Sequence, residues 1–547
     1  MSNPFVFGIG GFQHDGNIAI LDQEGRIEHA SQLERFTRNK YCGIGVGAEV
    51  AALLRERLPS GLLNTVKHVA WVDRYLYEQE DEKADVRDWV RSLGIPITVV
   101  DHHTAHLASS FYNSPFETAA LLSMDSKGDK CSVKIARGEK HKLTVLASVP
   151  MQYSIGRLWS AANAFVGFPG TRFAGKTMAL ASFGSPRYLE ELHRHIGFNA
   201  DGTYYFHLGD GLDTDENRAY FFGIPNIVKL YERITGLPAL QRHIEVATPY
   251  ADLAASIQEL TNGLALRLVA VATRIADSKN LCLAGGVALN GNTNTSILKS
   301  GMIDDLFVQP AAGDMGLGLG GAQYVYHHIL ERARSYIQFS PYLGHDVCSE
   351  QIEDKLSVAG VAYYRSGDVA GEAAALLAAG NIVAWVQGRE EFGPRALGNR
   401  SILVSPLIEN MKDVLNGRVK HRESFRPFAG AVPLERAAEY FDLDRASPYM
   451  LLITQVRKNQ RASLAPIVHV DGSIRVQTVT PEMNPRFCDL LHSFGRITGV
   501  PILLNTSLND NGEAIVSTVD DAITFFLQSN IDCIVIGDYI ARKSATA

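Results

Sequence analysis

Two glycine-punctuated hairpins, each opening with an apolar strand and followed by an acidic turn, predict a duplicated α/β core of the actin-like, ribonuclease-H-like kind. A fresh alternation of helix and strand beginning near Gln351 predicts a second α/β domain. Length agrees: 547 residues leave room for roughly three or four structural units of about 100–200 residues each. The expected division is 1–345 for the duplicated part and 346–547 for the second domain.

The first hairpin is read as Phe5 to Gly11, Asn17 to Leu21 and Arg26 to Ala30, broken by His14-Asp15-Gly16 and Gln23-Glu24-Gly25. The same grammar returns as Thr118 to Met124, the polar turn Asp125 to Asp129, Ser132 to Ala136 and Leu143 to Ala147. Apolar residues at helical spacing (Leu253, Ile257, Leu260, Leu264, Leu268) predict a helix from Tyr250 to Asp277. Short buried strands follow at Asn280 to Leu283 and Asp305 to Val308, each running into a glycine-rich loop. Such strand-loop-helix junctions are where open α/β sheets bind ligands.

Composition narrows the function. Hydrophobic residues are 46% of the chain and charged residues 20%, enough for a core throughout. With 52 basic against 59 acidic side chains and a formal charge of -7, the chain would repel a phosphate backbone, so no nucleic-acid partner is expected. The six cysteines are scattered without a CxxC pair and read as reduced and structural. Neither a signal-like N-terminus nor a spanning apolar run is found, so a cytoplasmic location without membrane contact is expected.

Asp101-His102-His103-Thr104-Ala105-His106 opens a helical segment, placing His102 and His106 on one face. Asp125 ends one predicted strand, and Asp314 follows another in a glycine-rich loop. Two imidazoles and two carboxylates suit a divalent ion such as iron(II), manganese or zinc. Gly285-Gly286-Val287-Ala288-Leu289-Asn290 could bring backbone amides close to a nucleotide. Gly170 to Thr177 spells a phosphate-loop pattern around Lys176, but the preceding Ala161 to Phe168 reads as helix, which argues against a Walker-type loop. The second domain concentrates cations in turns: Arg389, Arg395, Arg400, Lys412, Arg418, Lys420, Arg422 and Arg426. Arginines fixed in this way suit phosphate or carboxylate, with ordinary salt bridging as the alternative. Asn505 and Ser507, at the end of the strand Pro501 to Leu504, could add hydrogen bonds to phosphate oxygens.

Together these motifs resemble the O-carbamoyltransferases of the NodU/CmcH type. The resemblance rests above all on Glu391 to Ser401 (EFGPRALGNRS), Phe425-Arg426-Pro427-Phe428-Ala429 and Leu504-Asn505-Thr506-Ser507, with Gln13-His14-Asp15, Glu34 to Arg38 and the His102 to His106 run in support. It implies an actin-like N-terminal domain joined to a YrdC-like C-terminal domain. The latter would make carbamoyl-adenylate from carbamoyl phosphate and ATP with Mg2+, and the former would pass the carbamoyl group to a hydroxyl of a small molecule such as a sugar or an antibiotic. It also implies iron(II) on His102, His106, Asp125 and Asp314, a transfer role for His14, and nucleotide contacts from Lys176, Gly285, Gly286 and Asn290. Arg395, Lys420, Arg422, Arg426, Arg475, Asn505 and Ser507 would hold carbamoyl phosphate and ATP. Ala174 departs from the glutamate common before the Gly-Lys of the Lys176 motif. The alternative acceptors are tRNA or a protein partner. The stretch from about Gly197 to Glu245, with Asp210, Asp213, Asp215 and Glu216, matches the family least and has two readings, the lining of an acceptor pocket or a solvated loop.

Overall fold

The structure, a computed structural model, describes residues 4–44, 52–54, 62–72, 84–168, 174–209, 223–242, 248–334 and 339–543. It forms two compact units. One is Met1–Glu28 with Gly43–Phe339; the other is His29–Cys42 with Ser340–Ala547.

The first unit contains the duplication. β1 (Pro4–Gly10), β2 (Asn17–Asp22), β3 (Ile27–Gln32, of which residues 29–32 are counted with the second unit), β4 (His68–Val72) and β5 (Ile97–Val100) are ordered β3-β2-β1-β4-β5. β1 and β2 are antiparallel, whereas β1, β4 and β5 run parallel. The second sheet repeats the plan. β6 (Thr118–Met124), β7 (Cys131–Glu139) and β8 (Lys142–Pro150) make the antiparallel meander. After a small hairpin of β9 (Ile196–Phe198) and β10 (Tyr204–Phe206), β11 (Asn280–Ala284) and β12 (Asp305–Val308) add the parallel strands, giving β8-β7-β6-β11-β12. The central strands are covered on both faces, which is why Val69 to Val72, Ala119 to Leu122 and Leu281 to Ala284 read as unbroken apolar runs. The helix predicted over Tyr250 to Asp277 spans Thr248–Ile275.

The glycine-rich run after β12 has a packing reason. Leu317–Gln323 is a helix lying against β1 and against the helix His102–Phe111. A Cβ on Gly320 would fall 1.9 Å from the Ala105 carbonyl oxygen, so a side chain there would push the two helices apart.

The second unit is built on a nine-stranded mixed sheet, ordered β14-β23-β22-β15-β17-β21-β18-β20-β19, beside a two-stranded pair of β13 and β16. Its strands are β13 (Tyr342–Asp346), β14 (Tyr363–Arg365), β15 (Val383–Val386), β16 (Arg389–Glu391), β17 (Arg400–Val404), β18 (Ala429–Pro433), β19 (Ile453–Gln455), β20 (Ser473–Val479), β21 (Leu503–Ser507), β22 (Cys533–Ile536) and β23 (Tyr539–Arg542). Alternate residues of β15 divide between two cores: Ala384 and Val386 pack with Ala522 and Phe526, and Val383 and Trp385 with Leu377 and Leu491. The sheet is thus helix-covered on both faces, as in other α/β layers.

One segment departs from the continuous division expected. Residues 29–42 sit with the second unit. The Arg35 guanidinium, 1% exposed, donates to the Gly393 carbonyl at 3.1 Å, and Arg38 donates to the Ala514 carbonyl at 2.8 Å. Gln32 accepts from the Gly393 N–H at 3.2 Å. Burying these polar groups anywhere else would leave main-chain carbonyls and a guanidinium without partners. Of the six free cysteines, Cys348 is the exposed one. Among the described residues no helix is long and apolar enough to cross a membrane.

Two histidines in the first unit's core predict acid sensitivity. Burial, aided by neighbouring His102 and His106, holds His103 down at about 3, and burial holds His327 at about 4 despite its bond to the Arg332 carbonyl. Between those values and the ordinary 6.5 the unfolded chain takes a proton that the folded one excludes, so stability falls as pH drops through 6.5. The loss is about 1 kcal/mol per histidine by pH 5.5. Urea midpoints at pH 7.5 and 5.5 check this, and His327→Asn should flatten the dependence.

Candidate functional site

The first centre lies where three segments of the first unit meet. Asp101 caps the helix His102–Phe111, its side chain accepting from the Thr104 N–H; Lys134 donates to Asp101 in turn. The capped helix presents His102 and His106 one turn apart. Asp125 comes from the turn after β6, and Asp314 from the turn after β12. One ligand atom from each of these residues lies within 4.8 Å of the others. His102 Nε2 is 3.4 Å from Asp125 Oδ2 and 3.6 Å from Asp314 Oδ1; His106 Nε2 is 3.0 and 3.6 Å from the same two atoms. The sequence-predicted ligands are therefore brought together.

Neighbours hold this set in place. Asn17 donates to the Asp314 carbonyl at 2.7 Å and accepts from the Gly318 N–H at 2.6 Å, clamping the turn. Asp125 Oδ1 accepts from the Ser126 N–H at 2.6 Å, which leaves Oδ2 for the imidazoles. Gly285 has a φ of +86° and approaches so closely that a Cβ would lie 2.2 Å from the Met124 carbonyl oxygen; a Cβ on Gly286 would lie 3.1 Å from Asp125 Oδ1. Glycines there make room for the carboxylate. His103 points away, bonded to Ser123 Oγ at 2.7 Å and the Cys131 carbonyl at 2.9 Å, tying the helix to β6 and β7.

Electrostatics favour a cation. Burial would raise the Asp125 carboxyl, but its bonds to His102 and His106 outweigh that and hold it well below the usual range. Burial likewise works against a protonated His106, yet Asp125 and Asp314 raise its pKa overall. Two carboxylates converging on two imidazoles fit a divalent ion in the open-sited manner of mixed His/carboxylate centres. His14 stands at the rim, its Nδ1 2.8 Å from Asp15 Oδ2 and 3.7 Å from Asp314 Oδ2. The Asp15 bond and the Asp314 charge outweigh desolvation and raise its pKa.

Lys176 lies in the helix Ala174–Ala181 with its ammonium 5.3 Å from the Phe168 ring centroid; Gly170 to Phe173 lie outside the described residues. Asn290 caps the helix Gly291–Lys299, accepting from the Asn292 and Thr293 N–H groups, and donates to Gln258 Oε1 at 3.0 Å. Its amide is engaged at both ends within the fold. Of the acidic stretch read as pocket lining or solvated loop, Asp210, Asp213, Asp215 and Glu216 lie outside the described residues.

The second centre lies in the other unit. On three adjacent strands Asn505, Ala429 and Arg475 stand in register, so Asn505 and Arg475 share one face with only a methyl between them. Asn505 donates to Gln477 Oε1 at 2.8 Å, while its Oδ1 is buried with no hydrogen-bond partner, as are Arg395 Nε and Arg475 Nε. Around this floor stand Lys420, Arg422 and Arg426. Arg422 lies over the Phe428 ring at 4.0 Å and donates to Asn416 Oδ1 at 3.1 Å. Lys420 donates to the Ser507 and Asn509 carbonyls at 2.9 and 2.6 Å, and Ser507 Oγ bonds Asn509 Oδ1.

Burial lowers every one of these cations, and repulsion from neighbouring cations adds to it for all but Arg426. Arg475 is pushed well down by burial and then by Arg395, Arg422 and Arg426. Arg395 falls to about 10 through burial and Arg426, Arg422 to about 9 through burial and Arg426, and Lys420 well down through burial, Arg422 and Lys40. Arg426 is lowered by burial despite Glu423. Crowding like charges is unfavourable unless an anion completes the site. The other predicted cations serve the fold or the surface. The fully buried Arg400 donates to the carbonyls of Ser517, Gln387 and His345, Arg389 to Gly344, and Arg418 to Asp532.

Sequence reasoning missed Lys40, which the docked segment 29–42 carries among Arg426, Arg35 and Arg395. Tyr41 lies beside it, at a φ of +62°, and faces Arg395 and Arg426. The adjoining charged run Glu34 to Arg38 was the available signal.

Known proteins define the class. The family model for the carbamoyltransferase N-terminus matches residues 56–323, and that for the carbamoyltransferase C-terminus matches residues 374–543. The protein is thus an enzyme, a carbamoyltransferase. The chain belongs to the carbamoyltransferase family. It is 36% identical to an uncharacterized protein of Synechocystis over 99% of this chain and 97% of that one. It is 38% identical to the nodulation protein NolNO of Sinorhizobium fredii over 97% of this chain and 79% of that one, and 35% identical to 3'-hydroxymethylcephem-O-carbamoyltransferase of Amycolatopsis lactamdurans over 54% of each.

Proposed function

We propose that this protein is an ATP-dependent O-carbamoyltransferase acting on a hydroxyl of a small-molecule natural product. The observation that carries the reading is the crowd of buried cations in the second unit, with Arg395 Nε and Arg475 Nε unpartnered. A phosphate dianion beside a nucleotide triphosphate needs such a set, because several guanidinium and ammonium groups must offset the repulsion between the two donors. Arg395, Lys420, Arg422, Arg426 and Arg475 hold carbamoyl phosphate and ATP with Mg2+, and Asn505 and Ser507 complete the polar lining. Water cleaves carbamoyl phosphate to carbamate and inorganic phosphate, a carbamate oxygen then attacks the α-phosphorus of ATP, and pyrophosphate departs, leaving carbamoyl-adenylate.

The first unit carries out transfer. His102, His106, Asp125 and Asp314 would hold iron(II), which when bound supplies Lewis-acid polarisation and charge neutralisation. Lys176 and the backbone at Gly285 and Gly286 serve the nucleotide. His14, with Nδ1 held by Asp15, takes the proton of the acceptor hydroxyl as the hydroxyl oxygen attacks the carbamoyl carbon and AMP leaves. The relatedness to an enzyme named for cephem O-carbamoylation supports a small alcohol as acceptor.

The test separates the two halves. Labelled pyrophosphate should enter ATP only when carbamoyl phosphate is present, with no acceptor added; no exchange would overturn the reading. His14→Asn should keep that exchange while transfer to an acceptor, followed by mass spectrometry across sugar, aminoglycoside and β-lactam alcohols, drops about 10²- to 10⁴-fold. Full transfer by His14→Asn would remove it as the base.

A further inference from the structure

The loop between β16 and β17, which carries Arg395, is wound around one buried carboxylate. Glu391 is 1% exposed, and its Oε1 accepts from the backbone N–H groups of Leu397 at 2.6 Å, Asn399 at 2.8 Å and Arg400 at 3.1 Å. Side chains from the rest of the unit brace the same turn. Gln477 and Tyr342 both donate to the Leu397 carbonyl, at 2.7 and 2.8 Å, and Asn505 donates to the Ala396 carbonyl at 3.3 Å. Two glycines allow the path: Gly393 and Gly398 have φ of +128° and +106°. Three N–H dipoles converging on one oxygen are best met by a full negative charge, since charge-assisted bonds are roughly twice as strong as neutral ones. The backbone around Arg395 is therefore held, and its buried guanidinium ends beside Arg426, Arg475 and Lys40, a placement unfavourable by its own electrostatics.

We propose that Glu391 is a positioning residue for the anion site: it gathers the 392–400 loop by its backbone and thereby fixes Arg395 for the phosphate group of carbamoyl phosphate. This rests on the anion-site reading given above and deepens it, because it assigns a role to a carboxylate that never touches the ligand. Lining such a site with a fixed arginine avoids ordering the side chain on binding, which is how preorganisation raises affinity.

Glu391→Gln keeps the size and an acceptor oxygen but not the charge. In the full-length enzyme it should weaken inorganic phosphate binding, measured by titration calorimetry, and raise KM for carbamoyl phosphate, each about tenfold, with KM for ATP and kcat of the exchange reaction within about twofold. A residue that only stabilised the fold would lower Tm and the active fraction while leaving both constants of the surviving enzyme unmoved, and that result overturns the proposal. Should Glu391→Gln fail to fold, Tyr342→Phe removes one brace from the Leu397 carbonyl and should raise the same KM about two- to threefold; an unchanged KM overturns the proposal equally. Wild-type protein that binds no phosphate would overturn the anion-site reading and this role with it, whereas wild-type binding matched by Glu391→Gln overturns the positioning role alone.

Discussion

Asp125→Asn should strip the first centre of its metal and bring carbamoyl transfer to background, while carbamoyl-phosphate-dependent pyrophosphate exchange continues. Asp125 Oδ2 faces both imidazoles, at 3.4 Å from His102 and 3.0 Å from His106, closer to each than Asp314 Oδ1 at 3.6 Å. The substitution removes a negative charge without changing shape, leaving two neutral imidazoles and Asp314 to hold a divalent cation. Loss of a group that merely orients a ligand costs about 10- to 100-fold in metal affinity, so loss of a ligand charge should exceed 100-fold. Elemental analysis after dialysis against a weak chelator reads this without any activity assay. Retention of a stoichiometric metal by Asp125→Asn would show that the four residues are not its ligands. The apo protein should not be strongly destabilised, because an amide can still meet the Ser126 N–H through its oxygen.

Arg475→Met should move activity and stability in opposite directions. The Arg475 guanidinium is lowered by burial and by three other arginines, so in the absence of ligand it is held among like charges at a cost. Replacing a buried, poorly compensated charge with an apolar side chain of similar length is commonly neutral or stabilising by about 1–4 kcal/mol, and ligand-free Tm should rise. The same change removes a donor to phosphate, and kcat/KM for carbamoyl phosphate should fall about 100-fold, equivalent to about 2.7 kcal/mol. Arg400→Met is the contrast. Arg400 is fully buried with its donors on the carbonyls of Ser517, Gln387 and His345, so its loss orphans those acceptors and should lower Tm sharply. A fall in Tm for Arg475→Met would mark that residue as structural too. Function at the expense of stability is the usual signature of a ligand site.

Much of this was readable in advance, and the reason is periodicity. β6 and β12 occupy the predicted Thr118–Met124 and Asp305–Val308; β6 is legible because a strand buried on both faces must be a short, mostly apolar run closed by a polar turn, and β12 because a short apolar run enters a glycine-rich loop. His102 and His106 were legible as a pair because i and i+4 share a helix face whatever the fold. Asp125 and Asp314 were legible as strand-end carboxylates, since open α/β sheets place ligands at such ends. The cap formed by Asn290 could also have been read, since Asn before Gly-Asn-Thr is a helix-start pattern; the glycines before it drew attention to nucleotide instead.

Local pattern thus reached as far as local physics does: the two α/β parts, the repeated hairpins, the histidine pair and the cation-rich turns all follow from spacing and side-chain chemistry along a few residues. It could not sort those cations. Arg395 and Arg400 are five residues apart in one motif, yet the first lies in a like-charged pocket and the second is satisfied by the carbonyls of Gln387, His345 and Ser517, which lie 13, 55 and 117 positions away. Nor could it place residues 29–42 with the second unit, because the partners of Arg35 and Arg38 lie at Gly393 and Ala514. Hydrogen bonds between distant positions leave no period in the chain, and it is these long-range pairings that make one guanidinium a strut and leave its neighbour in a crowd of like charges.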